Sequence, residues 1–134
     1  MVVNELTCFL IDDDVDDQEI FHLAIEEVPK PPPIKCIVAK DGREAIKKFN
    51  NDKSLIPDCV FVDMNMPGMN GKETLSEIKK IERLNSVPVF MLSTNANPND
   101  VRETIKMGAV DFLKKPTSID SLSNMLAQIF KELR

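Results

Sequence analysis

The sequence predicts an α/β fold in which five parallel strands form an open sheet with helices on both faces. Two observations carry that prediction. Short apolar runs alternate five times with longer amphipathic ones, and the short runs are apolar on successive residues rather than on every second one. Unbroken apolarity over a strand-length run is what a strand covered on both sides requires. With 134 residues and short connections, five such units suit an open doubly wound sheet and not a closed eight-unit barrel.

The first strand is predicted at Leu6–Ile11 and is followed by a helix whose stripe is Ile20, Phe21, Ala24, Ile25 and Val28. Asp14, Asp16 and Asp17 are read as capping that helix and favouring its positive end. Lys30-Pro31-Pro32-Pro33 must break the chain as a stiff loop before the second strand, Ile34–Ala39. Asp41 with Glu44 fits a capping box for the second helix, and Cys59–Asp63 is the third strand. Asn70 with Glu73 fits a second box, ahead of a stripe of Leu75, Ile78 and Ile81. Val87–Ser93 and Ala109–Lys114 are the last two strands. Between them Asn97-Pro98 places a cap before a proline at the first helical position. Ile119, Leu122, Leu126, Ile129 and Leu133 line the final helix.

Composition narrows the function. The chain is 43% hydrophobic and 29% charged, which excludes disordered, collagen-like and low-complexity classes. No apolar run approaches the roughly 20 residues of a membrane span, and Met1 to Leu6 lacks the pattern of a secretory signal. A net charge of -5 argues against direct nucleic-acid binding. Cys8, Cys36 and Cys59 each lie in apolar segments, which reads as buried thiols in a reducing cytoplasm. His22, on the first helix among core residues, is read as a partly buried helix residue and not a ligand. The seven Met residues are read as core or loop filler.

Doubly wound sheets place ligands outside the carboxyl ends of their strands. The first strand ends in Asp12-Asp13-Asp14-Val15-Asp16-Asp17, the third in Asp63-Met64-Asn65, the fourth in Ser93-Thr94 and the fifth in Lys114-Lys115-Pro116. Crowded carboxylates repel unless a cation neutralises them, and a hard, oxygen-preferring dication such as Mg²⁺ is the natural partner. A carboxylate can also be a nucleophile toward phosphorus. Phosphoryl transfer then needs mainly positioning and charge stabilisation, which a metal, Lys115 and Ser93 would supply around Asp63. The acidic run is no EF-hand: counting from Asp12, Asp17 stands where Gly is needed and Leu23 where Glu is needed. Lys114 is read as a surface charge, Asn95 as a loop residue ahead of a helix, and Pro67-Gly68 with Gly71 as a specialised loop.

Taken together and in order, Leu10-Ile11-Asp12-Asp13-Asp14, Asp63-Met64-Asn65-Met66-Pro67-Gly68-Met69-Asn70-Gly71, Pro88-Val89-Phe90-Met91-Leu92-Ser93, Gly108-Ala109 and Lys114-Lys115-Pro116 resemble the receiver domain of two-component response regulators, over nearly the whole chain. The resemblance implies a flavodoxin-like sheet of order 2-1-3-4-5 and a single receiver domain over residues 1–134. It implies that Asp63 accepts a phosphoryl group from a histidine kinase or histidine phosphotransfer protein. Asp13, Asp63 and the Asn65 backbone carbonyl would ligate Mg²⁺, with Asp12 acting mainly through a coordinated water. Lys115 would pair with the acceptor, aimed by a cis bond to Pro116. Ser93 and Phe112 would be the switch residues, acting on a partner face formed by the fourth helix, fifth strand and fifth helix.

Two positions depart from the family's commonest pattern. Thr94 stands where a very small residue is usual, so it could narrow access to the phosphorus or join the site. Phe112 lacks the hydroxyl of the frequent tyrosine. After the fifth helix no residues remain for an output domain. The expectation is therefore a stand-alone regulator or a chain whose output half lies elsewhere. Two rivals remain at the level of sequence: an aspartate-nucleophile phosphatase, disfavoured because Asn65 cannot serve as a general acid, and a binding module that never gains phosphate.

Overall fold

The computed structural model describes residues 5–29 and 33–133, so Lys30, Pro31 and Pro32 of the expected stiff loop lie outside the described residues. Along the chain run β1 (Leu6–Ile11), α1 (Val15–Glu26), β2 (Ile34–Ala39), α2 (Gly42–Asn51), β3 (Cys59–Asp63), α3 (Gly71–Lys79), a 3-10 turn (Glu82–Leu84), β4 (Val89–Ser93), α4 (Pro98–Lys106), β5 (Asp111–Lys114) and α5 (Ile119–Glu132). All strand pairs are parallel and the order is β2-β1-β3-β4-β5.

Two cores explain why the strands read as unbroken apolar runs. Phe9, Ile11, Val60, Val62, Val89 and Met91 turn toward α2 and α3, where Phe49, Leu75 and Ile78 meet them. The alternate residues Cys8, Leu10, Cys59, Phe61, Phe90 and Leu92 turn toward α1 and α5, against Phe21, Leu126 and Phe130. Phe9 stacks on Phe49 with ring centroids 4.6 Å apart, and Phe61 lies between Phe21 and Phe90. A fully buried side chain of this size contributes about 1.5–3 kcal/mol. Both faces are therefore fixed, and polar chemistry is left to the strand ends.

The helix starts follow the sequence. Asp14 accepts from the Asp16 and Asp17 N–H groups, Asp41 from Glu44 N–H, and Asn70 with Glu73 forms a complete capping box. At Asp41 the box is only half made, because the Glu44 carboxylate accepts from Lys40 N–H instead. Asn97 caps α4 ahead of Pro98.

Several boundaries differ from expectation, each for a hydrogen-bonding reason. β4 begins at Val89 because Val87 N–H donates back to Leu84 O, closing the preceding turn. β5 begins at Asp111 because Ala109 N–H donates to Thr104 O at the end of α4, with Gly108 at φ +110° making the reversal. Ile81, expected on α3, leads into the 3-10 turn and packs half-buried on the α2/α3 core. Ile20, expected on the buried stripe, and His22, expected to be partly buried, are both exposed: α1 buries only Phe21 and Ala24. Cys36 is half-buried, whereas Cys8 and Cys59 are fully buried, and all three thiols are free.

Arg83 ties the 3-10 turn to the end of α2. Its guanidinium donates to the carbonyls of Phe49, of Asp52 at 3.0 Å and of Leu55 at 3.3 Å. These are carbonyls beyond the reach of helical bonding. Replacing Arg83 by Ala is expected to lower unfolding stability by about 1–3 kcal/mol in urea titrations. A variant as stable as the wild type would show that the three contacts carry no net energy.

Candidate phosphoacceptor site

Strand register assembles the site. Ile11 stands opposite Val62, so Asp12 and Asp63, each one residue further on, come level at the carboxyl ends of neighbouring strands. Leu92 lies opposite Asp63 and Ser93 opposite Lys114, which brings Ser93 and Lys115 to the same edge. Met64 N–H donates to Leu92 O at 2.9 Å and Lys115 N–H to Ser93 O at 2.8 Å, extending the ladder one residue past each strand.

The loop after Asp63 turns back on itself through Gly68, at φ +75°. Gly71 N–H donates to Met64 O at 3.1 Å. A Cβ at position 71 would lie 2.6 Å from Asp63 O and 2.7 Å from Met64 Cα, so only glycine allows α3 to start this close to Asp63.

Asp12 and Asp63 are buried and Asp13 is exposed; one carboxylate oxygen from each lies within 4.8 Å of the others. Lys115 is the cation among them. Its Nζ is 2.8 Å from Asp17 Oδ2, 3.1 Å from Asp12 Oδ2 and 3.5 Å from Asp63 Oδ2. Asp14 N–H donates to Asp12 Oδ1 at 3.0 Å and Asn65 N–H to Asp63 Oδ1 at 3.3 Å. Asn65 itself is exposed. Gln18 fixes the Asp12 backbone carbonyl at 2.7 Å.

The electrostatics follow from too many carboxylates and one ammonium. Burial pushes the Asp63 carboxyl up to about 6; Lys115 pulls it back, the charges of Asp12 and Asp13 add to the rise, and Asn65 N–H favours the ionised form. Burial likewise raises Asp12, against the Asp14 N–H and Lys115 and with the Asp17 charge. For Lys115 burial disfavours the charged form, but the hydrogen bond it donates to Asp17 and the charges of Asp12 and Asp63 outweigh it, so the ammonium is held protonated. Three hard carboxylate oxygens so placed suit a divalent cation.

The other expected residues lie around this cluster. Ser93 is buried, and its Oγ accepts from Asn95 N–H at 3.1 Å. Thr94 is exposed on the loop toward α4. Phe112 is half-buried against the α2/α3 core, opposite Met91. Neither Thr94 nor the Phe112 ring takes part in the ion pairs of the cluster.

Two expectations are corrected. No peptide bond among the described residues is cis, so Lys115–Pro116 is trans. The β5 register and the carboxylates around it aim the lysine instead. And Asp17, expected to serve as a helix-end acid alone, reaches Lys115 as its nearest carboxylate.

Residues 8–127 match the family model described as the response regulator receiver domain. The chain belongs to that family. Receiver domains are phosphorylation-dependent signalling switches. The chain is 33% identical to the chemotaxis protein CheY of Listeria monocytogenes serovar 1/2a over 118 residues, covering 87% of this chain and 95% of that one. It is 33% identical to a protein-glutamate methylesterase/protein-glutamine glutaminase of Archaeoglobus fulgidus over 124 residues, 90% of this chain. There it spans about a third of the relative's length (34%). The phosphorylated cyanobacterial phytochrome response regulator RcpA superposes with a TM-score of 0.83 at 25% identity, covering 94% of this chain and 91% of that one. Among the described residues no helix is long and apolar enough to cross a membrane.

With the Asp63 carboxyl raised, the stability of the domain depends on pH. Folded Asp63 binds its proton up to about pH 6, whereas an ordinary aspartate releases it near 3.8. The folded state thus holds more protons between these values, and its stability falls as pH rises through that window. In metal-free buffer Asp63→Asn is expected to raise stability at pH 7.5 by about 1–3 kcal/mol and to add nothing below pH 4. Equal or lower stability of the variant at pH 7.5 would contradict the crowding described above.

Proposed function

We propose that Asp63 is the phosphoacceptor of this receiver domain and takes its phosphoryl group from a phosphohistidine on a histidine kinase or histidine phosphotransfer protein. The observation that carries the reading is the arrangement around Asp63: a buried carboxylate with two further aspartates within 4.8 Å and an ammonium at 3.5 Å. Asp12, Asp13 and Asp63, with the Asn65 backbone carbonyl, would hold Mg²⁺. When bound, that ion neutralises the carboxylates and the peripheral phosphoryl oxygens.

An Asp63 carboxylate oxygen forms the new bond to phosphorus while the N–P bond of the phosphohistidine breaks and its electron pair returns to the imidazole nitrogen. Lys115 offers its ammonium to the charge gathered on the phosphoryl oxygens. The Ser93 oxygen is the acceptor for Asn95 N–H, so its hydroxyl proton can be donated to a phosphoryl oxygen. Thr94, next along, is exposed on the loop that follows Ser93.

Ser93 and residues 94–97 then close on the phosphoryl group, and the half-buried Phe112 ring follows. Moving a two-state equilibrium from 1:99 to 99:1 takes about 5.5 kcal/mol of differential interaction. Charge-assisted hydrogen bonds of about 1.5–3 kcal/mol each are sufficient. α4 is the element poised to respond, because Thr104 is its only buried residue and spends its hydroxyl on Asp100 O. A changed α4, β5 and α5 face would bind a downstream protein. We place this module in the cytoplasm, acting by protein contact, with no direct nucleic-acid or membrane partner.

Intact mass after incubation with acetyl phosphate and Mg²⁺ tests the assignment. The expected result is a labile phosphoryl adduct on the wild type and none on Asp63→Asn. Absence of an adduct, even with a cognate kinase, would make the chain a pure binding module. Sustained turnover of small phosphate esters would make it a phosphatase.

A further inference from the structure

Lys115 sits closer to α1 than its proposed role requires. The acceptor reading pairs this ammonium with Asp63 and then with the phosphoryl oxygens, and it gives Asp17 no part. Yet Asp17 is the nearest carboxylate at 2.8 Å, Asp12 follows at 3.1 Å, and Asp63 is the most distant at 3.5 Å. The hydrogen bonds of the ammonium go to Asp17 and Asp12. Its surroundings agree: Asp12, Asp17 and Lys115 line a cavity of about 70 Å³ together with Ile20 and Phe21 of α1 and Pro116. That space lies between α1 and the loop into α5 and leaves room for the lysine on the α1 side.

We propose that Asp17 is a positioning residue that retracts Lys115 from Asp63 in the resting state, so that phosphorylation has to draw the ammonium off Asp17. This rests on the reading of Asp63 as the phosphoacceptor and adds to it a built-in competitor. A contact made only in the resting state opposes activation by its full differential free energy. Removing it therefore tightens binding of anything that occupies the phosphoryl position. A purely structural role at the first turn of α1 would have the opposite sign, since losing an acid there weakens the helix and the site with it.

The test is a titration with Mg²⁺ and beryllofluoride, a non-covalent phosphoryl analogue, read by fluorine NMR because the chain has no Trp or Tyr. Asp17→Asn is expected to bind beryllofluoride about three- to tenfold more tightly than wild type, a charge-assisted contact discounted for the partial exposure of Asp17. Asp16→Asn makes the same charge change in the same turn at an acid that is not an ion-pair partner of Lys115, and it is expected to match wild type. Asp17→Glu should restore wild-type affinity, and the Asp17→Asn gain should vanish beside Lys115→Met. A second readout needs no analogue: the Lys115 ammonium resonance of the metal-free protein should shift and exchange faster in Asp17→Asn. Equal or weaker binding by Asp17→Asn relative to Asp16→Asn, or an unchanged ammonium resonance, would overturn the proposal while leaving the acceptor reading intact. A wild type that binds no beryllofluoride would instead remove the acceptor reading, and this inference with it.

Discussion

Like charges held together where two parallel strands end govern this molecule. Asp12 and Asp63 are level because β1 and β3 are in register, and they are buried because both faces of those strands are covered. Their backbones cannot separate without unpairing a ladder, and one ammonium does not neutralise the set. The site is therefore built to want positive charge, of the kind a divalent cation supplies.

The remainder of the fold serves to keep that arrangement fixed on one side and movable on the other. The two cores clamp the sheet, and Gly71 lets α3 begin against the Asp63 backbone. Capping bonds at Asp14, Asp41 and Asn70 fix the starts of α1, α2 and α3. α4 is different. It buries a single threonine, and Lys72 on α3 holds it from outside by ion pairs to Asp100 at 2.7 Å and Glu103 at 3.0 Å. Such solvent-facing pairs are weak, so the helix nearest the Ser93 loop is also the one most easily displaced.

Much of this was legible in the sequence because it rests on local rules. The limits of β1, β2 and β3 coincide with their apolar runs, since each is bounded by a turn, a cap or a proline. The positions of Asp12, Asp63, Ser93 and Lys115 followed from their place at strand ends. What escaped depends on tertiary distance. Asp17 reads like any acid in the first turn of a helix, and only the tertiary approach of Lys115, 98 residues further along the chain, reveals its partner. The signal available was an excess: five acids in six residues is more than a cap needs. The starts of β4 and β5 were misplaced because Val87 and Ala109 are apolar but spend their N–H groups on preceding turns. Ile20 belongs to the apolar stripe yet is exposed, because α1 is held by Phe21 and Ala24.

The most direct measurement of the central claim is the carboxyl-carbon NMR titration of Asp63 without and with saturating Mg²⁺. Without metal, the account predicts a midpoint near 6, set by burial among Asp12 and Asp13. With Mg²⁺ the midpoint should fall below the ordinary aspartate range, because the cation favours the ionised form. An ordinary aspartate midpoint that ignores Mg²⁺ would mean that these acids do not act as one site.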